Sequence, residues 1–349
     1  MAHPPASDWS CHRATAITVV MAMLALVVFG PGVANATEDG PEEVGIGLKI
    51  DQIASIDQKN KNFTVVATLR IDWTKPSLGF EPGPGEDDYR TYTGTKFLSL
   101  VSERGITWPA VSLYNQQGRL AIHNEIVYLS KDGRVQYLRR FTATFQAPDF
   151  DFTRFPFDVQ RFKIKLDSIF GERRFVFREL PELSGLGEEL GAEEWIVTGV
   201  STGLSTQVET TGIPSSRFTL EFSAKRHLIY YVLRILVPSL LIVLVSWFSF
   251  FLRDYGKRVD LASGNLLLFI AFNFTIGNEL PRLGYITVID AYLAGLFVIT
   301  GTVVLANVLL KRMQNTGRDA LLQRLDKFAL WAYPFGYMIL IAGIALVLA

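Results

Sequence analysis

Apolar and polar side chains alternate with period two through the first long region of the chain, residues 37–226. Phe63, Val65, Ala67, Leu69, Ile71 and Trp73 fall on one face, with Thr64, Thr68, Arg70 and Asp72 on the other. Phe162, Ile164 and Leu166 alternate with Arg161, Lys163 and Lys165; Phe218, Leu220 and Phe222 alternate with Arg217, Thr219 and Glu221. Each run predicts a half-buried strand. Turn signals separate such runs: Glu81-Pro82-Gly83-Pro84-Gly85, Lys131-Asp132-Gly133 and Thr211-Gly212-Ile213-Pro214. The region shows no long amphipathic helix and no internal repeat. Strands at this spacing, without the helical crossovers of a parallel sheet, predict an antiparallel β-sandwich.

The pattern changes at residue 227. Four mainly apolar stretches follow, at about 228–252, 259–280, 285–310 and 327–349, each near the roughly 20 residues an α-helix needs to span hydrocarbon. Arg253, Lys257 and Arg258 lie between the first two stretches, and Lys311, Arg312, Arg318 and Arg324 between the last two. The second connector holds one base, Arg282, and one acid, Glu279. The excess of bases places the first and third connectors in the cytoplasm. The N-terminal region and the C-terminus are then outside.

The chain opens differently. Arg13 precedes an apolar run from Ala14 to Gly30, and Pro31-Gly32-Val33-Ala34-Asn35-Ala36 follows. A basic flank, an apolar stretch and an Ala-x-Ala ending predict a secretory signal peptide over residues 1–36; the alternative is an uncleaved anchor. The only cysteine, Cys11, lies here, as do His3 and His12, two of the four histidines. The remainder has too few ligands for a zinc site and too few histidines for a catalytic triad. No GxSxG, HExxH or phosphate-binding loop is present. No catalytic residue, metal or cofactor is therefore expected. The 34 basic and 34 acidic side chains cancel, which excludes a basic nucleic-acid binder. Apolar residues are 49% of the chain and charged residues 19%, in keeping with a lipid bilayer as partner.

The second stretch is the least apolar. Asp260, Ser263, Asn265, Asn273, Thr275 and Asn278 interrupt it. A carboxylate at membrane depth is costly and faces water or a partner. Steps of four and three from Asp260 reach Gly264, Leu267, Ala271, Phe274 and Asn278. If several copies surround an axis, this stripe lines a pore, with an aspartate ring at its inner end and hydrophobic constrictions at Leu267 and Phe274. The alternative is a buried helix whose polar groups bond its neighbours. In the first stretch, Arg234 reads as a side chain snorkelling to the interface or as a functional charge, and Pro238 predicts a kink.

Several motifs then fall in a familiar order. Phe155-Pro156-Phe157-Asp158-Val159-Gln160 resembles the Phe-Pro-Phe-Asp-x-Gln signature of the pentameric ligand-gated ion channels, the Cys-loop receptor superfamily. Trp108-Pro109 with Leu113-Tyr114-Asn115 resembles that family's loop A. Trp73, Arg226, Pro238 and Ser246-Trp247 match further positions, and the stretch from Leu280 to Asp290 looks most like bacterial members. The resemblance implies an extracellular antiparallel β-sandwich (Ig-like), residues 37–226, followed by a four-helix transmembrane domain, residues 227–349. It implies a homopentamer in a bacterial inner membrane, with the second helix lining the ion path and Leu267 at the mid-pore leucine. Agonists of the family bind between adjacent sandwiches.

The departures are informative. Pro148 and Phe162 stand near the positions of the family's paired cysteines. The inner mouth lacks the glutamate of cation-selective members, Gly256 and Lys257 occupy that stretch, and Arg258-Val259 resembles anion-selective members. Asp260 would form a pore-facing carboxylate ring, with Glu279 near the top. The nearest ring dominates in a narrow lumen, so monovalent cations are the expected permeant ions, with Lys257 and Arg258 turned away from the axis. At the agonist site Tyr114 is kept. Ile169, beside Phe170, and Thr68 replace two cage aromatics, and the capping loop offers Gln207 and Glu209 instead of an aromatic. A simple amine is therefore not expected to find a full cage; a polar ligand, a proton or a divalent ion is the alternative. Glu86-Asp87-Asp88 reads as a divalent site or as a solvated acidic loop, and His123 and His227 as proton sensors or as plain surface residues. By resemblance Asp57, Asp158 and Arg226 form an ion-pair cluster where the two domains meet, above Pro281, which either couples the domains or only holds them together. A membrane-anchored sensor without ion flux is the competing function.

Overall fold

The computed structural model describes residues 40–191, 194–208, 212–277, 283–316 and 319–348. The signal-peptide reading, Glu209, Asn278, Glu279 and Pro281 lie outside the described residues. Eleven strands form the first region: β1 Glu42–Asp57, β2 Asn62–Thr74, β3 Tyr89–Thr93, β4 Val111–Leu113, β5 Gln116–Ser130, β6 Arg134–Gln146, β7 Val159–Ser168, β8 Phe175–Glu179, β9 Gly185–Leu186, β10 Trp195–Val208 and β11 Pro214–Arg226. They make two sheets, one ordered β3-β5-β6-β2-β1-β8 with β9 also on β1, the other β10-β11-β7-β4.

The alternation places the core as expected. Phe63, Val65, Ala67, Leu69, Ile71 and Trp73 are all buried, as are Phe162, Ile164, Leu166, Phe218, Leu220 and Phe222. Phe63 of one sheet, with Phe145 beside it at 5.6 Å, meets Phe162 and Phe222 of the other. Phe63 lies edge-on to Phe162 at 5.2 Å and to Phe222 at 5.7 Å, while Phe162 and Phe222 stack at 4.8 Å. Fully burying each such ring is worth about 1.5–3 kcal/mol, so this cluster is a main seam between the sheets. The Lys131-Asp132-Gly133 signal is a tight β5–β6 turn. Gly133 has φ +82°, and a Cβ there would sit 2.2 Å from the Lys75 carbonyl oxygen, so only glycine fits.

Two features differ from the sequence expectation. The pairing is not wholly antiparallel: β1 runs parallel to β8, with Val44 opposite Phe177, and parallel to β9. These partners are far apart in sequence, so no hairpin imposes an antiparallel return. A ten-residue helix, Gly94–Glu103, also interrupts the strands, burying Phe97 and Val101. Those two are four residues apart, one helical repeat, in a window too short for periodicity to stand out.

Among the described residues, four helices long and apolar enough to span a membrane follow, at Leu228–Phe251, Tyr255–Gly277, Val288–Asn315 and Ala320–Leu348. The second and fourth start several residues before their apolar stretches, because a helix continues past the hydrocarbon through polar turns. The third starts later than expected, at a capping box: Asp290 N–H donates to the Thr287 hydroxyl, and Thr287 N–H donates to the Asp290 carboxylate. In the first helix a π-turn over Val232–Leu236 lies just before Pro238, where the missing N–H and the ring already break the ladder. Arg234 donates to the Tyr230 hydroxyl on this turn.

Candidate functional site

The second helix has two distinct faces. Arg258, Ala262, Asn265, Phe269 and Ile276 are buried against the rest of the chain. Asn265 donates to the Ile242 carbonyl at 2.8 Å and to the Ser246 hydroxyl of the first helix, so this polar group serves helix packing. The stripe Asp260, Gly264, Leu267, Ala271 and Phe274 is exposed along its whole length. It is offset from the buried stripe by two residues, or 200° of helix rotation. Leu267 is 67% exposed and Phe274 72%, large apolar side chains that one chain leaves uncovered. Asp260 makes no hydrogen bond or ion pair with any described residue.

The bases beside Asp260 are not equivalent. Arg258 is buried and pairs with Asp326 of the fourth helix. Lys257, three residues before Asp260, is exposed and shares its side of the helix, so the expectation that both bases turn away holds for Arg258 alone. The spacing explains this, since a step of three stays on one face and a step of two leaves it. Asp254 lies close by. Its carboxyl is held below the usual range by the N–H groups of Gly256 and Lys257, and the charges of Lys257 and Lys311 deepen the effect.

The junction between sandwich and helices is built on Arg226, the last residue of β11. Its Nε and Nη2 donate to the two oxygens of Asp158 at 2.9 and 3.2 Å, and its Nη1 donates to the Tyr231 hydroxyl at 3.1 Å. Arg226 is 3% exposed and Asp158 4%. The guanidinium lies 4.3 Å from the Trp195 ring and 4.7 Å from the Phe155 ring. Gln160 explains the end of the Phe-Pro-Phe-Asp-x-Gln motif. Its amide donates to the Asp151 carbonyl at 2.6 Å and to Asp158, and accepts from Asp151 N–H at 3.1 Å. That bracket fixes a loop that reaches the helices directly: Val288 N–H donates to the Thr153 carbonyl at 3.0 Å, and the Tyr285 hydroxyl accepts from Phe152 N–H at 3.0 Å. Asp57 does not join the cluster. Its oxygens accept from the N–H groups of Lys59 and Asn60 and from the Asn60 amide, so the carboxylate is consumed by its own turn. Those Asn60 donors, backbone first, hold its pKa below the usual carboxylate range.

The residues expected around an agonist are divided. Tyr114, Ile169 and Phe170 lie at the β4–β7 end of the smaller sheet, while Thr68 lies on β2 of the larger one. Tyr114 is 56% exposed, but the Arg217 guanidinium sits 4.2 Å from its ring centre. Arg217 is held by a bidentate pair to Asp167, both contacts 2.5 Å. The one cage ring that the sequence keeps already carries a cation of its own chain. Phe170 packs on Phe175 with Arg174 over its face. Ile169 is exposed. Thr68 donates to Asp51, which also pairs with Arg140. Gln207, half-buried, donates to Ser205. Glu172 accepts from Thr206 and Ser216, joining the β10–β11 hairpin to the loop after β7. In the acidic loop, Glu86 pairs with Arg90 and Asp88 with Lys131, and no group of three metal-ligating side chains occurs among the described residues. His123 shares a hydrogen bond with Thr142 at 2.7 Å.

A family model described as the neurotransmitter-gated ion-channel ligand binding domain matches residues 31–177. A second, described as the neurotransmitter-gated ion-channel transmembrane region, matches residues 235–331. The chain belongs to the neurotransmitter-gated ion channels. It is 28% identical over 258 residues to a protein of Gloeobacter violaceus described as a proton-gated ion channel, covering 71% of this chain and 67% of that one. It is 26% identical over 275 residues to the gamma-aminobutyric acid receptor subunit beta-like of Drosophila melanogaster, covering 74% and 54%. It is 23% identical over 268 residues to the human gamma-aminobutyric acid receptor subunit rho-1, covering 73% and 53%. The chain thus spans little more than half the length of the receptor subunits it matches.

As a neurotransmitter-gated ion channel the protein is a multi-pass membrane receptor of the pentameric family, not an enzyme. Sequence reasoning brought Asp158 and Arg226 together correctly, but missed Gln160, Tyr231, Trp195, Thr153 and Tyr285 around them. The motif's closing glutamine was the available signal. Arg217, Asp167 and Asp326 were missed as well. Strand alternation treats Arg217 as an outward polar residue, and nothing local to it announces a partner 50 residues earlier.

Proposed function

We propose that the chain forms a homopentameric, cation-selective channel of the bacterial inner membrane, with the sandwich and the C-terminus on the outer side. A signal sensed by the sandwich opens a pore lined by Asp260, Gly264, Leu267, Ala271, Phe274 and Asn278. Leu267 and Phe274 act as the hydrophobic constrictions. Asp260 selects for monovalent cations at the inner end, and Glu279 adds negative charge at the outer end. Arg226 and Asp158, with Pro281 beneath them, carry the signal between the domains.

The observation that carries this reading is the uncovered stripe from Asp260 to Phe274, opposite the face that packs against the chain's own helices. A carboxylate and two large apolar side chains left uncovered on one line suit a shared wet axis better than lipid, where a charge is costly. Cation selectivity is favoured because Arg258 is neutralised by Asp326 and Lys257 lies near Asp254, while Asp260 makes no ion pair with any described residue. The agonist pocket is lined by Tyr114, Ile169 and Phe170 on one subunit, and by Thr68 on the next; Gln207 and Glu209 cap it. Arg217 over Tyr114 disfavours a simple amine. A proton is the first stimulus to test, since one relative is described as proton-gated.

The test is the reversal potential of purified channels in a planar bilayer under a potassium chloride gradient, with pH, divalent ions and small amines screened as stimuli. Reversal near the potassium potential is expected. Reversal at the chloride potential overturns the selectivity, and a silent bilayer under every stimulus favours a sensor without ion flux.

A further inference from the structure

We propose that Asp326, on the fourth helix, sets charge selectivity at the inner mouth by holding Arg258 away from the permeation path; this rests on the cation-selective reading above. Arg258 stands two residues before Asp260, so the two side chains leave the second helix on opposite faces. Arg258 is 4% exposed. Its Nη1 and Nη2 donate to the two oxygens of Asp326. Its Nε donates to the Leu252 carbonyl at 2.5 Å, and its face lies 4.4 Å from the Tyr255 ring centre. Tyr255 in turn donates its hydroxyl to Asp326 at 3.2 Å. Asp326 is the carboxylate that neutralises Arg258 among the described residues, and it comes from the helix least buried of the four.

The charge account follows. Asp326 cancels Arg258, so the charges left on the lumen side are the Asp260 carboxylate and the exposed Lys257, whose charge acts on the neighbouring Asp254. Removing the Asp326 charge leaves one uncompensated positive charge per subunit beside that ring, whether the guanidinium stays in place or swings out on its flexible stem. In a narrow lumen with low-dielectric walls, added fixed charges of one sign act on every passing ion. The fourth helix, which contributes nothing to the pore face, thereby determines which ions pass.

Reversal potentials under a potassium chloride gradient test this in the wild type, Asp326→Asn, Asp326→Glu, Arg258→Gln and the double variant Arg258→Gln/Asp326→Asn. Asp326→Asn is expected to lower the potassium-to-chloride permeability ratio at least tenfold. Asp326→Glu restores it, Arg258→Gln keeps it, and the double variant, which has no cation left to release, returns to it. The proposal is overturned if Asp326→Asn reverses where a cation-selective wild type does, or if the double variant shifts as far as the single one. If Asp326→Asn yields no channels, the other two neutral variants decide: a shift toward chloride in Arg258→Gln or in the double variant overturns the proposal. A wild type that reverses at the chloride potential instead refutes the selectivity reading itself.

Discussion

Replacing Arg226 by alanine separates a coupling role from a purely structural one. The substitution strands Asp158, itself 4% exposed, without the two contacts at 2.9 and 3.2 Å that neutralise it. Breaking a buried pair from one side costs about 3–5 kcal/mol, because the remaining charge stays desolvated. The guanidinium contacts with Trp195 and Phe155 are lost too, at about 0.5–2 kcal/mol each. Gln160 still donates to Asp158, which places the total toward the lower end. If the pair is made equally in closed and open states, the whole cost falls on folding. If it is stronger in the open state, each 1.36 kcal/mol of the difference lowers the opening equilibrium about tenfold. The assay combines size-exclusion profiles and thermal unfolding of Arg226→Ala with its open probability at saturating stimulus. We expect pentamers with a lowered unfolding midpoint and an open probability reduced at least tenfold. Arg226→Ala pentamers that open like the wild type refute the coupling role, even if they unfold earlier.

Further outcomes follow from the same geometry. Leu267→Ser wets the apolar constriction proposed at Leu267 and is expected to give a standing current without stimulus; a variant as silent at rest as the wild type removes Leu267 from the gate. Primary amines at micromolar concentration are expected to show no saturable heat of binding, and Asp167→Asn/Arg217→Gln, which uncovers the Tyr114 ring, gains about tenfold in amine affinity, as a cation–π contact of about 1–2 kcal/mol requires. The depressed pKa values of Asp57 and of Asp151, the latter lowered first by the Thr153 N–H, mean that both groups stabilise the fold above the usual carboxylate value, about 4. That contribution is lost only as pH falls through the still lower folded value. Asp57→Asn therefore lowers the unfolding midpoint at neutral pH, a difference from the wild type that closes in strong acid, and leaves any current activation above pH 5 unmoved; a shifted half-activation pH in that range contradicts the assignment.

The parts legible in the sequence were those encoded by periodicity. Alternation from Phe63 to Trp73 named the core face, and the four-three steps from Asp260 selected a stripe that the structure leaves uncovered. What stayed hidden depends on partners distant in the chain. Arg258 and Asp326 are 68 residues apart, and Arg217 and Asp167 are 50 apart. A base on a strand or helix end reads as solvated until the fold supplies its acid. Asp57 failed for the opposite reason: a motif position suggested a distant partner, while Asn60, three residues on, had already satisfied it.

The depth of the Arg226–Asp158 contact has an ionic consequence. Mobile counterions screen exposed charges over a Debye length of about 8 Å at physiological strength, but reach a sealed pair poorly. The Arg226–Asp158 pair is therefore deaf to the salinity of the bathing medium. Salinity acts instead on charges that water can touch, such as the Arg140–Asp51 contact on the sandwich.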